Sequence, residues 1–283
     1  MDQNVAVVTG ANSGLGKVTA THLARAGWQV VLACRNPERG QRAVDEIRAA
    51  TGSEALQLVQ LDLASYDSVR AAAAAIDASV PRIDALVNNA GYLPGERQLA
   101  ADGIELSFLV NHLSVFLFTR LLLDACRRAP AARIVSLSSE VHRLVKIPWD
   151  DLGFEQRYGP YYAYSVGKLG NVMFTHELAR RLAAESGNKV TANAVHPGYI
   201  ASEFGDDSHW YIRTGIKLVR PLLLTPEQGA QTQIHAATAP ELEGVTGKYL
   251  KAKKIARPSR YSQIESECAR LWEVSSALTG LEA

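Results

Sequence analysis

The clearest indication of the fold is Val5-Ala-Val-Val-Thr-Gly-Ala-Asn-Ser-Gly-Leu-Gly16, where an apolar run leads directly into a glycine-rich turn. Consecutive apolar residues are typical of a β-strand that is covered on both faces. Gly10, Gly14 and Gly16 permit a tight turn and a close approach of the backbone to a pyrophosphate. A helix that begins here directs its unpaired N–H groups and its dipole at that anion. The other turn residues predicted to line this cofactor site are Asn12, Ser13 and Leu15.

The rest of the chain repeats the alternation of strand and helix that this first unit begins. Short apolar runs predict strands over residues 5–9, 29–33, 55–61, 85–88, 133–137, 189–196 and 246–250. Amphipathic stretches predict helices over residues 15–26, 37–50, 65–78, 103–128, 163–184 and 226–238. Such repetition implies parallel pairing through right-handed crossovers. The sequence therefore predicts an α/β fold, a Rossmann-type doubly wound parallel sheet, in a single domain over residues 1–283, with no linker or repeat.

Composition narrows the choice of partners and compartment. Lys plus Arg (30) nearly balance Asp plus Glu (29), so no net field attracts nucleic acid or an anionic membrane. The local basic run over residues 248–260 is interpreted as a solvated strip, with phosphate or membrane binding as the alternative. Three cysteines without metal-ligand spacing favour a reducing compartment. With a strand from residue 5 and no apolar run of about 20 residues, we expect a cytoplasmic protein without a membrane span.

The second strand indicates which nicotinamide dinucleotide is used. A carboxylate at its end would accept from a ribose 2′-hydroxyl and repel a 2′-phosphate. The sequence has Arg35 there and no carboxylate before Glu38. Because a guanidinium can form charge-assisted bonds to a 2′-phosphate, we predict NADP as the cofactor, with a surface arginine as the alternative.

Two further strand ends offer polar groups to the same cofactor. Asp62 and Leu63, after the third strand, are placed beside the adenine. Asn88-Asn-Ala-Gly91 ends the fourth strand, so Asn89, Ala90 and Gly91 are placed beside the cofactor's ribose. Either segment could equally be an ordinary turn cap.

Tyr164-Ser-Val-Gly-Lys168 is the candidate for proton transfer. Its spacing puts the tyrosine and the lysine one helical turn apart on one face. A phenol pKa near 10 must fall to about 7, which takes about 4 kcal/mol. One cation at about 4 Å in an effective dielectric of about 20 supplies that energy. Tyr249 and Lys253 repeat the spacing without a following helix, so we interpret that copy as chance.

Other residues surround this candidate pair along the chain. Ser138 and Ser139 end the fifth strand, where a hydroxyl could polarise a carbonyl, and Asn111 could bond a carbonyl or hold a relay water. After the sixth strand, Pro197, Gly198 and Ile200 are predicted to pass the nicotinamide, and Ser202 could hold its carboxamide. His196 has no nucleophile or carboxylate paired with it, so we predict a structural role.

Over about 200 residues, these motifs together resemble those of the short-chain dehydrogenase/reductase family. In chain order they are Thr9-Gly-x-x-x-Gly-x-Gly16, Asn88-Asn-Ala-Gly91, Asn111, Ser139, Tyr164-x-x-x-Lys168 and Pro197-Gly198. The resemblance implies four catalytic roles. Tyr164 would be the general acid/base, and Lys168 would lower its pKa and bind the nicotinamide ribose. Ser139, the second serine of its pair, would position the carbonyl, and Asn111 would support a proton relay. Homodimers or homotetramers are also implied, without a choice between them.

Three further stretches are similar to the retinol dehydrogenase-like branch of this family: Leu32-Ala-Cys-Arg35, Ser138-Ser-Glu-Val-His142 and Ala269-Arg-Leu-Trp272. The N-terminal membrane anchor that animal members often carry is not expected here. Segments 140–160 and 202–224 are aromatic and irregular, which suggests the walls of a pocket for a bulky hydrophobic carbonyl or alcohol, with packed surface loops as the alternative. Retinoid-, steroid- or secondary-metabolite-like substrates would fit. The alternative from another class is a catalytically silent NADP-binding sensor of the same fold.

Overall fold

The computed structural model describes residues 3–93, 95–200 and 224–282, and element bounds are given within those ranges. The strands are β1 (Val5–Thr9), β2 (Gln29–Cys34), β3 (Leu56–Gln60), β4 (Ala85–Asn88), β5 (Arg133–Leu137), β6 (Thr191–His196), β7 (Lys248–Lys251) and β8 (Lys254–Ala256). The helices are α1 (Gly14–Arg25), α2 (Pro37–Thr51), α3 (Tyr66–Ser79), the composite α4 (106–127), α5 (Pro160–Ala184), α6 (Pro226–Thr238) and α7 (Glu265–Thr279). None of these described helices is both long and apolar enough to cross a bilayer.

The strands form one sheet in the order β3-β2-β1-β4-β5-β6-β7-β8. All neighbours are parallel except β7 and β8, which confirms the predicted doubly wound parallel sheet. Strand β1 pairs with both β2 and β4, so the chain reverses its direction of winding there. Ligands of such sheets bind outside the carboxyl ends of the strands at this switch point.

The unalternated apolar sequence of β1 is explained by cores on both faces of the sheet. Val5 and Val7 belong to the core formed with α3, α4, α5 and α7. Ala6 and Val8 face the other core, which α1, α2 and α6 complete. All four side chains are almost fully buried, as the strand pattern predicted.

The helix predicted over residues 103–128 begins later and is not continuous. It starts at Leu106, passes through a π-helical segment at Leu109–Leu113, and is interrupted between Ser114–Leu121 and Leu123–Arg127. Glu105 caps its start, because its carboxylate accepts the N–H of Phe108 at 3.0 Å. An i→i+5 segment inside a helix is uncommon and occurs frequently at functional sites. The apolar periodicity of the sequence cannot reveal this π-helical segment, because apolar side chains face the core in the α-helical and the π-helical parts alike.

The hairpin of β7 and β8 was not predicted, and it makes the sheet edge antiparallel. Its turn residues Ala252 and Lys253 both have positive φ, at 49° and 61°. Asn-Gly or Asp-Gly usually signals such a turn, and neither is present here. The basic run 248–260 contributes its Lys and Arg residues to the exposed surface of this hairpin and the segment after it.

Helix α7 was also missed by the sequence prediction. Its Trp272 packs between the guanidinium groups of Arg120 and Arg181, which lie 4.7 and 4.3 Å from its ring centroid. The same ring contacts Phe116 and Phe174. This helix therefore closes the core beneath α4 and α5 through contacts with residues far away in the chain.

Candidate functional site

The glycine turn after β1 forms a cradle in which position 16 has no space for a side chain. A Cβ on Gly16 would lie 2.3 Å from the carbonyl oxygen of Gly10. Gly10 and Gly14 have φ of 65° and 51°, a region that favours glycine. The N-cap Ser13 makes no side-chain hydrogen bond to the first turn of α1. The open first turn and the close packing of backbone fit the phosphates of a dinucleotide.

The cradle is fastened to the end of β4 by polar side chains. The Thr9 hydroxyl accepts the backbone N–H groups of Asn89 and Ala90 at 3.0 and 2.9 Å. The Asn89 amide donates to the Thr9 carbonyl at 2.8 Å. Gln233 of α6 donates to the carbonyl of Leu15 at 3.2 Å and to Asn89 Oδ1 at 3.3 Å. From the sequence, no role was predicted for Thr9 or Gln233. Gln233 lies more than a hundred residues after the glycine turn, and no motif around it indicates a contact with that turn.

The residues predicted for the adenosine end lie at the ends of β2 and β3. Arg35 is exposed, and within the described part of the chain its guanidinium makes no hydrogen bond or ion pair. Asp62 accepts the N–H of Ala64 at 3.0 Å, so it also caps its turn. Leu63 is buried, and its carbonyl accepts the Ser114 hydroxyl at 2.6 Å. This anchors the β3 loop to α4.

The segment after β6 takes a sharp bend. Gly198 has φ of 100°, and a Cβ there would lie 2.5 Å from Leu224 Cδ1. Ile200 forms a bridge with Leu224, and its side chain fills the space over Gly229 of α6. Pro197 is half-buried at the start of this bend. Ser202 and nearly all of the predicted pocket segment 202–224 lie outside the described residues.

Tyr164, Lys168 and Ser139 come together where β5 meets α5. Both Tyr164 and Lys168 lie in α5, and Lys168 Nζ is 5.5 Å from the Tyr164 ring centroid. The phenol is hydrogen-bonded to the Ser139 side chain. Lys168 is buried and donates to the Leu137 carbonyl at 3.2 Å. Ser138 instead donates to the Lys168 carbonyl at 2.8 Å, so of the two serines Ser139 meets the phenol.

Burial dominates the titration of this pair. Removal of water raises the pKa of Tyr164 above its usual value, while the bond to Ser139 acts in the opposite direction. Burial also lowers the pKa of Lys168 to about 7. In the protein alone the net direction of the Tyr164 pKa shift is therefore upward, because a water-poor site disfavours the charged phenolate. The lowering of this pKa by Lys168 stays a prediction. Tyr164 keeps its proton at neutral pH.

Asn111 lies in the π-helical segment of α4 and is fully buried. Its amide nitrogen donates to the carbonyls of Tyr92 and Ser107 at 2.7 and 2.8 Å. Its oxygen accepts the N–H of Tyr92 at 3.0 Å. A Cβ on Gly167 would lie 2.8 Å from Asn111 Cβ, so a glycine permits α5 to approach here. The side chain holds the loop after β4 beside the helix and has little capacity left for a substrate.

The predicted pocket wall at residues 140–160 is partly a packed surface segment. Trp149 donates to Glu267 at 2.9 Å and stacks under Arg270 at 4.4 Å, so it contacts α7. Nearer to the reactive pair, Tyr161 is half exposed, and it lies one helical turn before Tyr164. For Trp149, the alternative interpretation of this segment as a packed surface loop is thus the one that holds.

His196 and Tyr249 have no direct part in the candidate chemistry. Burial lowers the pKa of His196 to about 4, so it is neutral at pH 7. The Tyr249 hydroxyl is occupied, because it donates to Glu140 at 2.9 Å. The second Tyr-x-x-x-Lys spacing, with Lys253 in a hairpin turn, places no lysine on a shared helical face.

Comparisons with known proteins agree with this arrangement. The family described as short chain dehydrogenase matches residues 4–209. The chain is 41% identical over 278 residues to retinol dehydrogenase 12 of Mus musculus, covering 98% of this chain and 87% of that protein. It is 38% identical over 302 residues to retinol dehydrogenase 14 of Homo sapiens, covering 99% and 88%. A crystal structure of an uncharacterized protein from Mycobacterium Paratuberculosis superposes with a TM-score of 0.78 at 33% identity, covering 99% and 94%.

Proposed function

The chain belongs to the short-chain dehydrogenase/reductase family, and from that premise we propose that it is an NADP-dependent oxidoreductase that interconverts a carbonyl and an alcohol on a bulky hydrophobic substrate. The observation that carries the proposal is the phenol of Tyr164, bonded to Ser139 and one helical turn from Lys168. This group lies at the carboxyl edge of the sheet, as does the glycine cradle.

The cradle and its surroundings fit NADP. A Cβ on Gly10 or Gly16 would press against Ala90, Asn89 or the Gly10 carbonyl, so these glycines keep the turn tight. The open first turn of α1 would bind the charge of the pyrophosphate. Arg35 at the end of β2 would bind the 2′-phosphate, since its guanidinium is exposed and uncommitted among the described residues. When bound, the nicotinamide supplies the hydride for reduction of the carbonyl or accepts it in the reverse direction.

The protein's own residues provide the proton. In reduction, the raised pKa of Tyr164 keeps the phenol protonated, which is the form that a general acid needs. As the proton leaves, the Ser139 hydroxyl and the Lys168 ammonium stabilise the phenolate. In oxidation the phenol must first lose its proton, and the Ser139 hydroxyl and the Lys168 ammonium would oppose the effect of burial and stabilise the phenolate that then accepts the alcohol proton. Asn111 keeps the loop after β4 in register with this centre.

A hydrophobic substrate is supported by two features. Tyr161 and Tyr199 are 49% and 62% exposed, and they follow the helix start and the bend that flank the reactive group. The relatives reported above are named retinol dehydrogenases, and retinol is a long apolar alcohol. Retinoid-, steroid- and secondary-metabolite-like compounds share that character.

Tyr164→Phe is the decisive test. Incubation with NADPH and a panel of retinal, steroid ketones and aromatic aldehydes, with cofactor absorbance followed, should show turnover for the natural chain. General acid catalysis contributes about 10²- to 10⁴-fold, so kcat of the variant should fall by that amount while the Kd for NADPH stays the same. Tyr161→Phe, which removes an exposed phenol from the same helix, is the matched control and should keep its rate.

Retention of more than a few per cent of kcat by Tyr164→Phe would remove this residue as the acid. NADPH binding without turnover on any member of the panel would contradict the oxidoreductase assignment to these substrates.

A further inference from the structure

We propose that His142 is a positioning residue, which holds the backbone of Ser139 so that its hydroxyl meets Tyr164. The inference rests on the proposed function, because it concerns the geometry of the same proton-transfer group. His142 lies in the 3₁₀ turn Glu140–Leu144, which follows Ser139 directly. Among the residues that the structure describes, it is hydrogen-bonded neither to the phenol nor to the cofactor cradle, and so would act through Ser139.

The imidazole has a defined tautomer. The backbone N–H of Ser259 donates to His142 Nε2 at 3.0 Å, so that nitrogen must carry a lone pair. The hydrogen is then on Nδ1, which lies 2.6 Å from the Ser139 carbonyl and donates to it. The ring is fully buried, and burial lowers its pKa, which favours this neutral form. The imidazole thus links Ser139 to the segment that follows β8.

The same turn is tied to β7 by a second link. Glu140 accepts the Tyr249 hydroxyl at 2.9 Å and the Lys251 ammonium at 3.2 Å, one on each carboxylate oxygen. The His142 and Tyr249 rings lie 5.0 Å apart, so the two links support each other. Glu140, the residue after the serine, is therefore held by β7, and His142, two residues further on, is held by the segment after β8.

On its other side the serine is held by Ser138. The Ser138 N–H donates to the Val195 carbonyl at 2.7 Å, and its hydroxyl donates to the Lys168 carbonyl at 2.8 Å. The Ser139 backbone is thus fixed from both directions, and the torsions of its side chain are the remaining freedom. Because proton transfer and carbonyl polarisation need placement within a fraction of an ångström, loosening one anchor should reduce the rate and leave cofactor binding unchanged.

Two amide substitutions separate the two bonds of the imidazole. The amide nitrogen of Asn occupies the place of Nδ1, so His142→Asn keeps the donor to Ser139 and loses the acceptor for Ser259. The amide oxygen of Gln occupies the place of Nε2, so His142→Gln keeps the acceptor and loses the donor. We expect His142→Asn to retain kcat within about threefold, and His142→Gln to lower kcat about tenfold, the effect of roughly one hydrogen bond. The Kd for NADPH should not change in either variant.

A purely structural histidine would give a different result. Equal kcat in the Asn and Gln variants, or a wild-type kcat in His142→Gln, would overturn the inference. Tyr249→Phe provides an independent variant if His142→Gln does not fold, because it removes only the hydroxyl from Glu140. It should lower kcat about threefold at unchanged NADPH affinity, and an unchanged kcat in a folded Tyr249→Phe protein would also count against the proposal.

The outcome for Tyr164→Phe separates this inference from the proposed function. If Tyr164→Phe is inactive while His142→Gln is fully active, only the positioning role fails. If Tyr164→Phe remains active, the proposed proton donor itself is wrong.

Discussion

Gly16→Ala tests whether the glycine turn is a cofactor cradle. The added Cβ would lie 2.3 Å from the Gly10 carbonyl oxygen and 2.5 Å from Asn89 Nδ2. An ordinary contact needs about 1 Å more, so backbone must move. Overpacking of this kind costs about 1–3 kcal/mol, and the higher helix propensity of Ala returns about 1 kcal/mol. We expect a net loss of at most about 2 kcal/mol in the free energy of unfolding.

The loss of cofactor affinity should be larger than the loss of stability. The backbone that must move is the backbone that would bind the pyrophosphate, and a hydrogen bond to a charged group contributes about 1.5–3 kcal/mol. Loss of one such bond raises the Kd for NADPH roughly 10- to 100-fold.

Gly40→Ala is the matched control, since Gly40 is also a buried helical glycine with a tight contact. Its Cβ would meet Leu58 Cδ1 at 2.5 Å, which is the end of a flexible side chain and can move. The control should bind NADPH within about twofold of the natural chain. Fluorescence titration with NADPH and urea unfolding measure the two quantities. Equal NADPH affinity in the Gly16 and Gly40 variants would refute the cradle.

Two other predictions concern cofactor choice and pH. Arg35→Asp replaces the cation expected at the 2′-phosphate with an anion. The Kd for NADPH should therefore rise at least tenfold, while the Kd for NADH changes little. Equal changes in the two Kd values would show that Arg35 does not bind the 2′-phosphate. Glu105 is fully buried, and burial raises its pKa to about 7 from 4.5, so the folded state holds the proton more tightly than the unfolded chain. Through this group, the free energy of unfolding should therefore fall by about 3 kcal/mol between pH 4.5 and 7. Urea unfolding should show that Glu105→Gln abolishes this loss. If the natural chain and the variant have the same pH dependence, the Glu105 carboxyl is not responsible.

Several features of this protein follow from its local sequence. The apolar run Val5–Thr9 predicts a strand buried on both faces, and the structure has that strand inside the sheet, between β2 and β4. The turn glycines at 10 and 14 adopt backbone conformations that favour glycine. Tyr164 and Lys168 share a helical face because their spacing is close to one turn. Each of these depends on residues within a few positions of one another, so propensity and periodicity suffice.

Other features exist only because distant segments meet. Gln233 reaches Asn89, and Ser259 orients His142, across more than a hundred residues. The pKa of Tyr164 depends on how completely the surrounding elements exclude water, which no spacing in the sequence encodes. Local sequence therefore specified the reactive residue types and most of the elements, although not β8 or α7. Tertiary packing set the partners, the burial and the charge states of these residues. Local conformational preferences act over a few residues, and desolvation and hydrogen bonding act wherever the folded chain brings atoms together.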